Sequence, residues 1–435
     1  MRGQRAALSK ENAAQFAPLH GAIWIHAASV GEFEQARPII ERIKNTEYRV
    51  QNTEYRVQST EYRVQNTDQK TPPIVVTFFS PSGYEARKNY ELADGVFYLP
   101  FPTRRNARRF LDLLRPKMAI FVKYEFWPSY IRELHKQQIP TYSISAIFRP
   151  KQYFFRFWGK RQLQILRLFT RIFVQDEASL RLLSEHGVEN ATVAGDTRFD
   201  RMAEVKSTEY RIQNTDRNTQ NTDRNTQNTD PLAPIEEFVE GCERVIIAGS
   251  TWPKDEELLA QFQLRDESLE FSERTKLILV PHEIDEAHMH YIFNLFQGRY
   301  VKYSAISQLS SAVSRRNILQ RAQVMVVDRM GLLNKLYRFG QVAYIGGGFG
   351  VGIHNTIEAA VYGLPVVFGP NYHHFREAKG LIAAGAAQSI KNEAELEAAL
   401  CTALEQHESM GAKAATYVQS ELGATTKIYE QIFGN

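Results

Sequence analysis

Three consecutive glycines, Gly346–Gly348, form the part of this chain whose residue types point most directly to chemistry. An apolar run at 342–345 ends at these glycines, and a helical pattern follows with Asn355 as a candidate N-cap and Glu358 three residues later. Glycines let a backbone approach an anion closely, and a helix N-terminus offers unpaired N–H groups to a phosphate. A carboxylate one turn into the helix can accept hydrogen bonds from a ribose. The segment is therefore a candidate nucleotide site, although one glycine-rich turn is a weak motif that is often only structural.

A second candidate is Glu32, which follows the apolar run 22–26 within the sequence Ser-Val-Gly-Glu. It lies where a strand is expected to end and a helix to begin, and this position exposes a carboxylate at the edge of a cleft. On the pattern alone, the simpler explanation is a glutamate in the first helical turn that complements the helix dipole.

The composition narrows the class of protein. At 435 residues the chain is too long for one ordinary core, so two domains are expected. Its 43% hydrophobic and 23% charged residues are typical of a soluble globular protein, and a net charge of +4 gives no reason to expect nucleic acid. Cys242 and Cys401 form no Cys-x-x-Cys, which predicts a reduced cytosolic protein without a structural metal site. We expect no signal peptide and no membrane-spanning segment, so any membrane contact should be peripheral.

Two local clusters combine positive charge with large side chains. Residues 104–109 contain four arginines, and residues 149–161 interleave arginine and lysine with phenylalanine, tyrosine and tryptophan. Such a mixture suits an anionic membrane surface or an amphiphilic phosphorylated substrate. An ordinary half-buried helix with basic residues on its wet face explains either cluster equally simply.

A seven-residue repeat, Asn-Thr-Glu-Tyr-Arg-Val-Gln, begins at residue 45 and extends to 69, and a related array covers 207–230. A coiled coil is not expected, because the units carry too few apolar residues at the required spacing. Polar, low-complexity composition predicts flexible insertions in surface loops, which cost little free energy to lengthen.

Outside the repeats, short apolar runs alternate with helical patterns, which predicts parallel sheets covered on both faces. Two series of runs flank a linker at 203–234, so we expect an α/β fold of two doubly wound, Rossmann-like domains, 1–202 and 235–435, facing each other across a cleft. The predicted strands lie at 22–26, 74–79, 118–122, 141–145, 171–175, 244–249, 276–280, 323–327, 342–345 and 365–368.

Six short motifs occur in order along the chain: HAASVGE at 26–32, YEFWP at 124–128, GDTRFD at 195–200, AGSTW at 248–252, VPHE at 280–283 and IHNTIE at 353–358. Together they resemble the 3-deoxy-D-manno-octulosonic acid (Kdo) transferases. The resemblance covers nearly the whole chain outside the repeats, and six ordered motifs are far more specific than any one of them.

The resemblance implies an inverting glycosyltransferase of GT-B architecture that moves Kdo from CMP-Kdo to a lipid A precursor. The N-terminal domain would bind the acceptor and the C-terminal domain would bind CMP-Kdo, at the cytoplasmic face of the bacterial inner membrane. The implied partners are the donor, the lipid acceptor and the membrane surface, without nucleic acid. Neither a cofactor nor a metal ion is implied, because enzymes of this type generally use helix dipoles and basic side chains in place of a divalent cation.

An inverting transfer needs a base that deprotonates the acceptor hydroxyl as it attacks the anomeric carbon. The resemblance makes Glu32 that base and Glu125 a second acidic residue of the acceptor cleft. It also assigns Ser29 and Gly31, from the same motif as Glu32, to substrate binding. For Glu125 a structural role, positioning its own loop, is nearly as well supported.

On the donor side, Ser250 and Thr251 directly follow a predicted strand, as hydroxyls that bind a phosphate or carboxylate should. His282 is placed to meet the cytosine or the sugar, and capping a helix is its structural alternative. The substrate-binding set is completed by Gly346, Gly347, Gly348, Asn355 and Glu358.

Arg198 is a candidate counter-charge for the donor phosphate or the Kdo carboxylate, since a guanidinium grips such groups with two hydrogen bonds. Its structural alternative is an ion pair with Asp196 or Asp200. The same reasoning makes these aspartates poor candidates for a metal site.

Other functions would require a different set of residues in these motifs. An N-acetylglucosaminyltransferase or a UDP-GlcNAc epimerase would share the glycine loop and the ribose-binding glutamate, but neither explains the motifs around Glu32 and Glu125. A nucleotide-sugar-binding protein without transfer activity would have lost Glu32. A scaffold at the membrane surface would explain the basic aromatic run and leave the glycine loops unexplained.

Overall fold

The computed structural model describes residues 14–57, 72–219, 230–264, 275–296, 298–309 and 312–434. The chain divides into two compact units, Met1–Arg201 with Glu421–Asn435, and Met202–Ser420. The last fifteen or so residues, which the sequence pattern places with the second domain, therefore group with the first unit.

The strands are short, and most coincide with the predicted apolar runs. They are β1 Ile23–Ala27, β2 Ile74–Phe78, β3 Gly95–Tyr98, β4 Met118–Val122, β5 Thr141–Ala146, β6 Arg171–Val174, β7 Ala191–Val193, β8 Arg244–Thr251, β9 Thr275–Pro281, β10 Tyr300–Lys302, β11 Val324–Val326, β12 Val342–Ile345, β13 Val366–Phe368 and β14 Ala387–Ser389.

Helices connect the strands along both parts of the chain. They are α1 Val30–Val57, α2 Pro81–Arg87, α3 Arg104–Leu114, α4 Pro128–Lys136, α5 Lys160–Leu166, α6 Glu177–Glu185, α7 Thr197–Thr219, α8 Ala233–Val239, α9 Pro253–Leu264, α10 Glu286–Leu295, α11 Tyr303–Gln308, α12 Ala312–Arg321, α13 Leu333–Leu336, α14 Ile357–Ala360, α15 Arg376–Ala383, α16 Glu393–Glu405, α17 His407–Glu421 and α18 Ala424–Phe433.

Each unit contains a seven-stranded parallel sheet. The order in the first unit is β3-β2-β1-β4-β5-β6-β7, and in the second it is β10-β11-β9-β8-β12-β13-β14. Strand order reverses at β1 in the first sheet and at β8 in the second, which is the pattern of a doubly wound fold. The predicted fold class, two Rossmann-like domains, is confirmed.

The central strands of the first sheet are buried on both faces, as their continuous apolar runs predict. Side chains alternate along β1, so Trp24 joins one hydrophobic cluster with Phe110 and Phe121. Ile25 points to the opposite face, where it packs in a second cluster with Phe33. The second unit has a core of its own.

The sequence analysis did not predict β3, β7, β10 and β14. These strands have only three or four residues each, and they are the edge strands of the two sheets. Outer strands are buried less completely than central ones, so their sequences lack the continuous apolar run that identifies a strand.

The prediction that the repeats are loops is wrong for their described parts. Helix α1 continues through residues 45–57, and α7 continues through 207–219. The repeat units contain glutamate, arginine and glutamine, which favour helix, and they contain neither glycine nor proline. A helix that has already formed can propagate into such a segment without a new nucleation step. Residues 58–69 and 220–229 of the repeats lie outside the described residues.

The motif at 195–200 connects three parts of the first unit. The Thr197 hydroxyl donates to the carbonyl oxygen of Gln35 in α1 at 2.6 Å. The two carboxylate oxygens of Asp200 accept hydrogen bonds from the backbone N–H groups of Gly423 at 2.7 Å and Thr425 at 2.6 Å. These N–H groups begin α18, so Asp200 acts as a cap supplied by a distant segment.

Asp200→Ala should therefore lower the free energy of unfolding by about 1–3 kcal/mol, because two N–H groups at the start of α18 lose their acceptor. The matched control is Asp112→Ala, since the exposed Asp112 carboxylate lies 3.9 Å from Arg108 and such surface pairs contribute less than about 1 kcal/mol. Denaturant unfolding of both variants checks this, and equal losses would contradict the capping role.

Candidate active site

In the first unit, the predicted acidic residues follow the two strands at which the sheet order reverses. Glu32 lies in the first turn of α1 after β1, and Glu125 follows β4, which is paired with β1. At such a point the connections leave the sheet in opposite directions and open a crevice at the carboxyl ends of the strands. The fold therefore places both carboxylates at the edge where doubly wound sheets bind ligands.

Glu32 forms a capping box with Ser29. The Ser29 hydroxyl accepts a hydrogen bond from the Glu32 N–H at 3.4 Å, and Glu32 Oε2 accepts from the N–H groups of Ala28 at 2.8 Å and Ser29 at 3.2 Å. The structural role proposed from the sequence is thus present. It uses one carboxylate oxygen, and among the described residues Oε1 has no hydrogen-bond partner.

The surroundings of Glu32 favour its neutral form. Burial raises the pKa of the Glu32 carboxyl above its usual value, and the nearby negative charge of Glu125 raises it further. The N–H of Ala28 and the charge of Lys123 act in the opposite direction and are smaller. A carboxylate whose pKa is raised toward neutrality is a better general base at physiological pH.

Glu125 is 9% exposed and is held by two aromatic side chains. Its Oε2 lies 3.1 Å from His26 Nε2, and Trp127 Nε1 donates to the same oxygen. Ser29 is half-buried and Gly31 is exposed, with nothing within 4 Å of the position that a Cβ would occupy. The structure brings Ser29, Glu32 and Glu125 together and leaves open space beside Gly31.

Lys123, His26 and Thr77 belong to this site and were missed by the sequence analysis. Lys123 adopts φ of 61°, a left-handed conformation that is uncommon for a residue with a side chain. Its charge lowers the pKa of Glu32 and that of Asp196. The signal available in the sequence was position, since Lys123 directly follows a central strand.

Arg198 forms the ion pair that was its structural alternative. Its guanidinium makes several hydrogen bonds to the Asp196 carboxylate, the shortest from Nη2 to Oδ2 at 2.6 Å. This contact lowers the pKa of Asp196 although the side chain is fully buried. A direct role of Arg198 toward the donor stays a prediction.

The equivalent edge of the second sheet holds the glycine loop, defined as residues 346–352, and the end of β8. Ser250 has φ of 54°, and the pairing of β8 with β9 shifts register between Gly249 and Thr251. A Cβ on Gly346 would lie 2.3 Å from the Ser250 carbonyl oxygen. The glycine at 346 is thus required because two backbones touch there.

Asp255 is the buried group that holds this edge together. It is 1% exposed, and its Oδ2 accepts from the N–H groups of Gly347 at 2.9 Å and Trp252 at 3.0 Å. Its Oδ1 accepts from the Tyr344 hydroxyl at 2.7 Å. Burial raises the pKa of Asp255, and these donors oppose the rise. Because its N–H is already used, Gly347 contributes to the site through its conformation.

The hydroxyls predicted to bind the donor differ in their availability. Thr251 is fully buried and donates to Glu256 Oε1 at 2.9 Å, whereas Ser250 is partly exposed. Glu256 also lies 2.8 Å from His288 Nε2. The geometry therefore gives Thr251 a structural bond and leaves Ser250 at the surface of the site.

Asn355 and Glu358 are in contact, as the capping pattern predicts. Asn355 Oδ1 accepts from the Ile357 N–H at 3.1 Å, and its Nδ2 donates to Glu358 Oε1 at 3.0 Å. The predicted helix is only the four-residue turn α14. It begins at Ile357, with Thr356 in the N-cap position, one residue later than the predicted cap Asn355.

His282 is exposed, and its ring stacks with two other rings. Its ring centroid lies 4.8 Å from that of Trp252 and 4.4 Å from that of His354. Trp252 Nε1 donates to His354 Nε2 at 3.1 Å. Burial and the neighbouring His282 lower the pKa of His354 to about 4. His354 is thus a neutral acceptor, and the stack presents the exposed His282 ring at the edge of the sheet.

Within the described ranges, Glu283, Asp285 and His288 could bring three ligand atoms together for a metal ion. Two of them are exposed, and Asp285 already caps α10 by accepting from the His288 N–H at 3.1 Å. Capping and the His288–Glu256 contact are sufficient to explain how these side chains are placed.

Comparison with known proteins indicates the family that this chain resembles. A model of the family described as 3-deoxy-D-manno-octulosonic-acid transferase (kdotransferase) matches residues 2–201. The protein of that name from Aquifex aeolicus (strain VF5) is 25% identical over 380 residues, which cover 86% of this chain and 84% of the relative. The chain is similar to the Kdo transferases over most of its length. The relative from Rickettsia felis is 27% identical over 399 residues, covering 90% of this chain and 73% of that protein.

The fold of this chain is shared with solved structures of lower sequence similarity. UDP-GlcNAc 2-epimerase from Neisseria meningitidis, bound to UDP-GlcNAc, matches with a TM-score of 0.61 and 15% identity, covering 95% of this chain and all of the other. A likeness at this identity shows the fold alone. The predicted resemblance to the Kdo transferases, the glycosyltransferase class and the two-domain α/β fold are confirmed.

Gly346→Ala should lower the free energy of unfolding by about 1–3 kcal/mol or more, because the new Cβ would overlap the backbone of Ser250 and Thr251. Gly350→Ala in the same loop is the control, since its Cβ would meet only the Gly347 oxygen at 3.7 Å. Thermal and denaturant unfolding measure the difference. Equal stability of the two variants would show that the contact at Gly346 relaxes without strain.

Proposed function

We propose that this protein transfers Kdo from CMP-Kdo to a lipid A precursor with inversion at the anomeric carbon. The observation that carries the proposal is Glu32, a partly buried carboxylate at the point where the first sheet reverses its strand order. Its pKa is raised, and its Oε1 has no hydrogen-bond partner among the residues that the structure describes. The names of the related proteins supply the sugar. The acceptor and the stereochemistry are our proposal.

Glu32 acts as the general base in this proposal. Its Oε1 takes the proton from the acceptor hydroxyl while the hydroxyl oxygen forms a bond to the anomeric carbon of Kdo. The bond from that carbon to the phosphate of CMP breaks on the opposite face, which inverts the configuration. The capping-box bonds to Oε2 hold the carboxylate in place, so the helix start orients the base.

The second unit binds CMP-Kdo in this proposal. The exposed ring of His282 offers a face against which a cytosine can stack, and the Asn355–Glu358 pair offers an acceptor to the ribose hydroxyls. Ser250 supplies a hydroxyl to the donor's anionic groups. The first unit then supplies the base and binds the acceptor.

The lipid acceptor calls for contact with a membrane surface, and the aromatic-basic run supplies candidate residues. Phe157 is 80% exposed and Tyr153 is 48% exposed, beside a cavity of about 600 Å³ lined by Phe154 and Arg156, among others. No helix within the described ranges is long and apolar enough to cross a bilayer. We propose that these rings enter the interface at the cytoplasmic face of the inner membrane while the arginines meet anionic headgroups.

The other basic cluster has the form of an amphipathic helix. The four arginines of α3 are exposed, whereas Ala107 and Phe110 on its opposite face are buried. The alternative proposed from the sequence, a half-buried helix with a basic wet face, describes it. Phe101, which is 57% exposed just before this helix, allows the cluster to take part in membrane binding.

Glu32→Gln should lower the rate of transfer by about 10²–10⁴, because the amide keeps the capping bonds and loses the basicity. The assay follows CMP release and product mass from CMP-Kdo and a tetra-acylated bisphosphorylated lipid A precursor. CMP affinity, measured by calorimetry, should not change.

Glu34→Gln is the control on the same helix, since Glu34 pairs with Arg37 and Arg87. It should retain most of the activity. Near-normal turnover of the Glu32 variant would remove Glu32 from the reaction, and epimerisation of UDP-GlcNAc by the wild-type protein without Kdo transfer would overturn the proposed function.

Phe157→Ser should weaken co-sedimentation with anionic phospholipid vesicles by about tenfold, since burying one such side chain contributes about 1.5–3 kcal/mol. Met330→Ser, at a residue that is 67% exposed in the second unit, is the control and should bind as the wild type does. Equal binding of the two variants would place the membrane contact elsewhere.

A further inference from the structure

We propose that His26 and Thr77 are positioning residues, and that a hydrogen-bond chain running from Trp24 through Thr77 and His26 holds the Glu125 carboxylate beside Glu32. In this hydrogen-bond chain, the ring proton of His26 lies on Nε2. The inference rests on the proposed role of Glu32 as the base, and it adds residues that the sequence motifs leave without a function.

The hydrogen-bond chain connects three neighbouring strands. Trp24 Nε1 donates to Thr77 Oγ1 at 2.8 Å, Thr77 Oγ1 lies 2.9 Å from His26 Nδ1, and His26 Nε2 lies 3.1 Å from Glu125 Oε2. Trp24 and His26 are two residues apart on β1 and share a face, and His26 is in register with Thr77 on β2. All three are fully buried.

The direction of the bonds follows from what each group can donate. An indole N–H can only donate, so the Thr77 oxygen accepts from Trp24, and the Thr77 hydrogen is available for donation to His26 Nδ1. Nδ1 then accepts, and the ring proton lies on Nε2, where it is donated to Glu125. Trp127 Nε1 donates to the same carboxylate oxygen. Every polar group in the chain is satisfied in this arrangement.

The other tautomer satisfies fewer groups. A proton on Nδ1 could be donated to the Thr77 carbonyl oxygen at 3.0 Å. Nε2, which also lies 3.1 Å from Trp127 Nε1, would then turn a lone pair toward the Glu125 oxygen. That arrangement places two acceptor atoms, Nε2 and the Glu125 carboxylate oxygen, 3.1 Å apart with no proton between them. The buried site therefore favours the proton on Nε2.

The charge of Glu125 acts on the base. Glu125 is the largest contributor after burial that raises the pKa of Glu32, whereas Lys123 lowers it. A hydrogen-bond chain that holds the Glu125 carboxylate beside Glu32 therefore makes Glu32 a stronger base. If the hydrogen-bond chain is broken, the Glu125 carboxylate is no longer held beside Glu32, and the rise that it causes in the pKa of Glu32 becomes smaller.

The first test determines the tautomer of His26 directly, in the full-length protein with ¹⁵N-labelled histidine rings. NMR shifts of His26, assigned from the signal lost in His26→Gln, should show the proton on Nε2. A proton on Nδ1 would overturn the proposal. This measurement needs no substrate, so it is independent of the proposed function.

The second test is Thr77→Val, which keeps the shape and removes the hydroxyl. The kcat should fall roughly tenfold or more, and the acidic limb of the pH profile should move to lower pH. The sign follows because a base with a lower pKa loses its proton at lower pH and is weaker. Glu125→Gln should move the limb in the same direction, since it removes the negative charge beside Glu32. Thr77→Ser should restore both rate and profile.

Thr141→Val is the control for loss of a buried hydroxyl, since Thr141 on β5 is 1% exposed and donates to the Ile139 oxygen at 2.9 Å. The acidic limb of the pH profile of this variant should not move. A slower Thr77→Val enzyme with an unshifted limb would mean that Thr77 is only structural, which overturns the inference. An active Glu32→Gln variant would instead overturn the proposed function and leave the tautomer result standing.

Discussion

The reversal of strand order at β1 and at β8 is the constraint on which the rest of this molecule depends. Because every strand in each sheet is parallel, the carboxyl ends meet at one edge, and the two connections beside the central strand must diverge there. Glu32 and Glu125 follow the strands at one reversal, and Ser250 and the glycine loop follow those at the other. The local sequence decides which functional side chains follow each strand. The pairing of the strands brings these side chains together at one edge of the sheet.

Both edges place carboxylates where water is scarce, and each carboxylate has several donors. An ionised group buried without partners would be costly, so the donors are a condition of its presence. Asp255 has three of them and holds the glycine loop to β8 and α9. Glu32 has two on a single oxygen, which leaves the other for chemistry. The same principle therefore gives a structural residue in one unit and a candidate base in the other.

The comparison with UDP-GlcNAc 2-epimerase shows how little the fold says about the reaction. Nearly the whole chain superposes on that enzyme at 15% identity. What separates the two possibilities is the set of residues that follow β1 and β4, and those lie within the segment matched by the Kdo transferase family model. The proposed activity thus depends on a few side chains at one sheet edge.

The sequence by itself determined the central strands, the fold class and the resemblance to the Kdo transferases, because continuous apolar runs and ordered motifs are local properties. It also identified Glu32, Glu125 and the glycine loop as residues that follow strands. Only the tertiary structure decided their partners. The contact of Thr77 with His26, the grip of Asp255 on Gly347 and the use of Asp200 to cap α18 join residues separated by 51, 92 and more than 200 positions. No local pattern records such pairs, since strand order and packing bring them together.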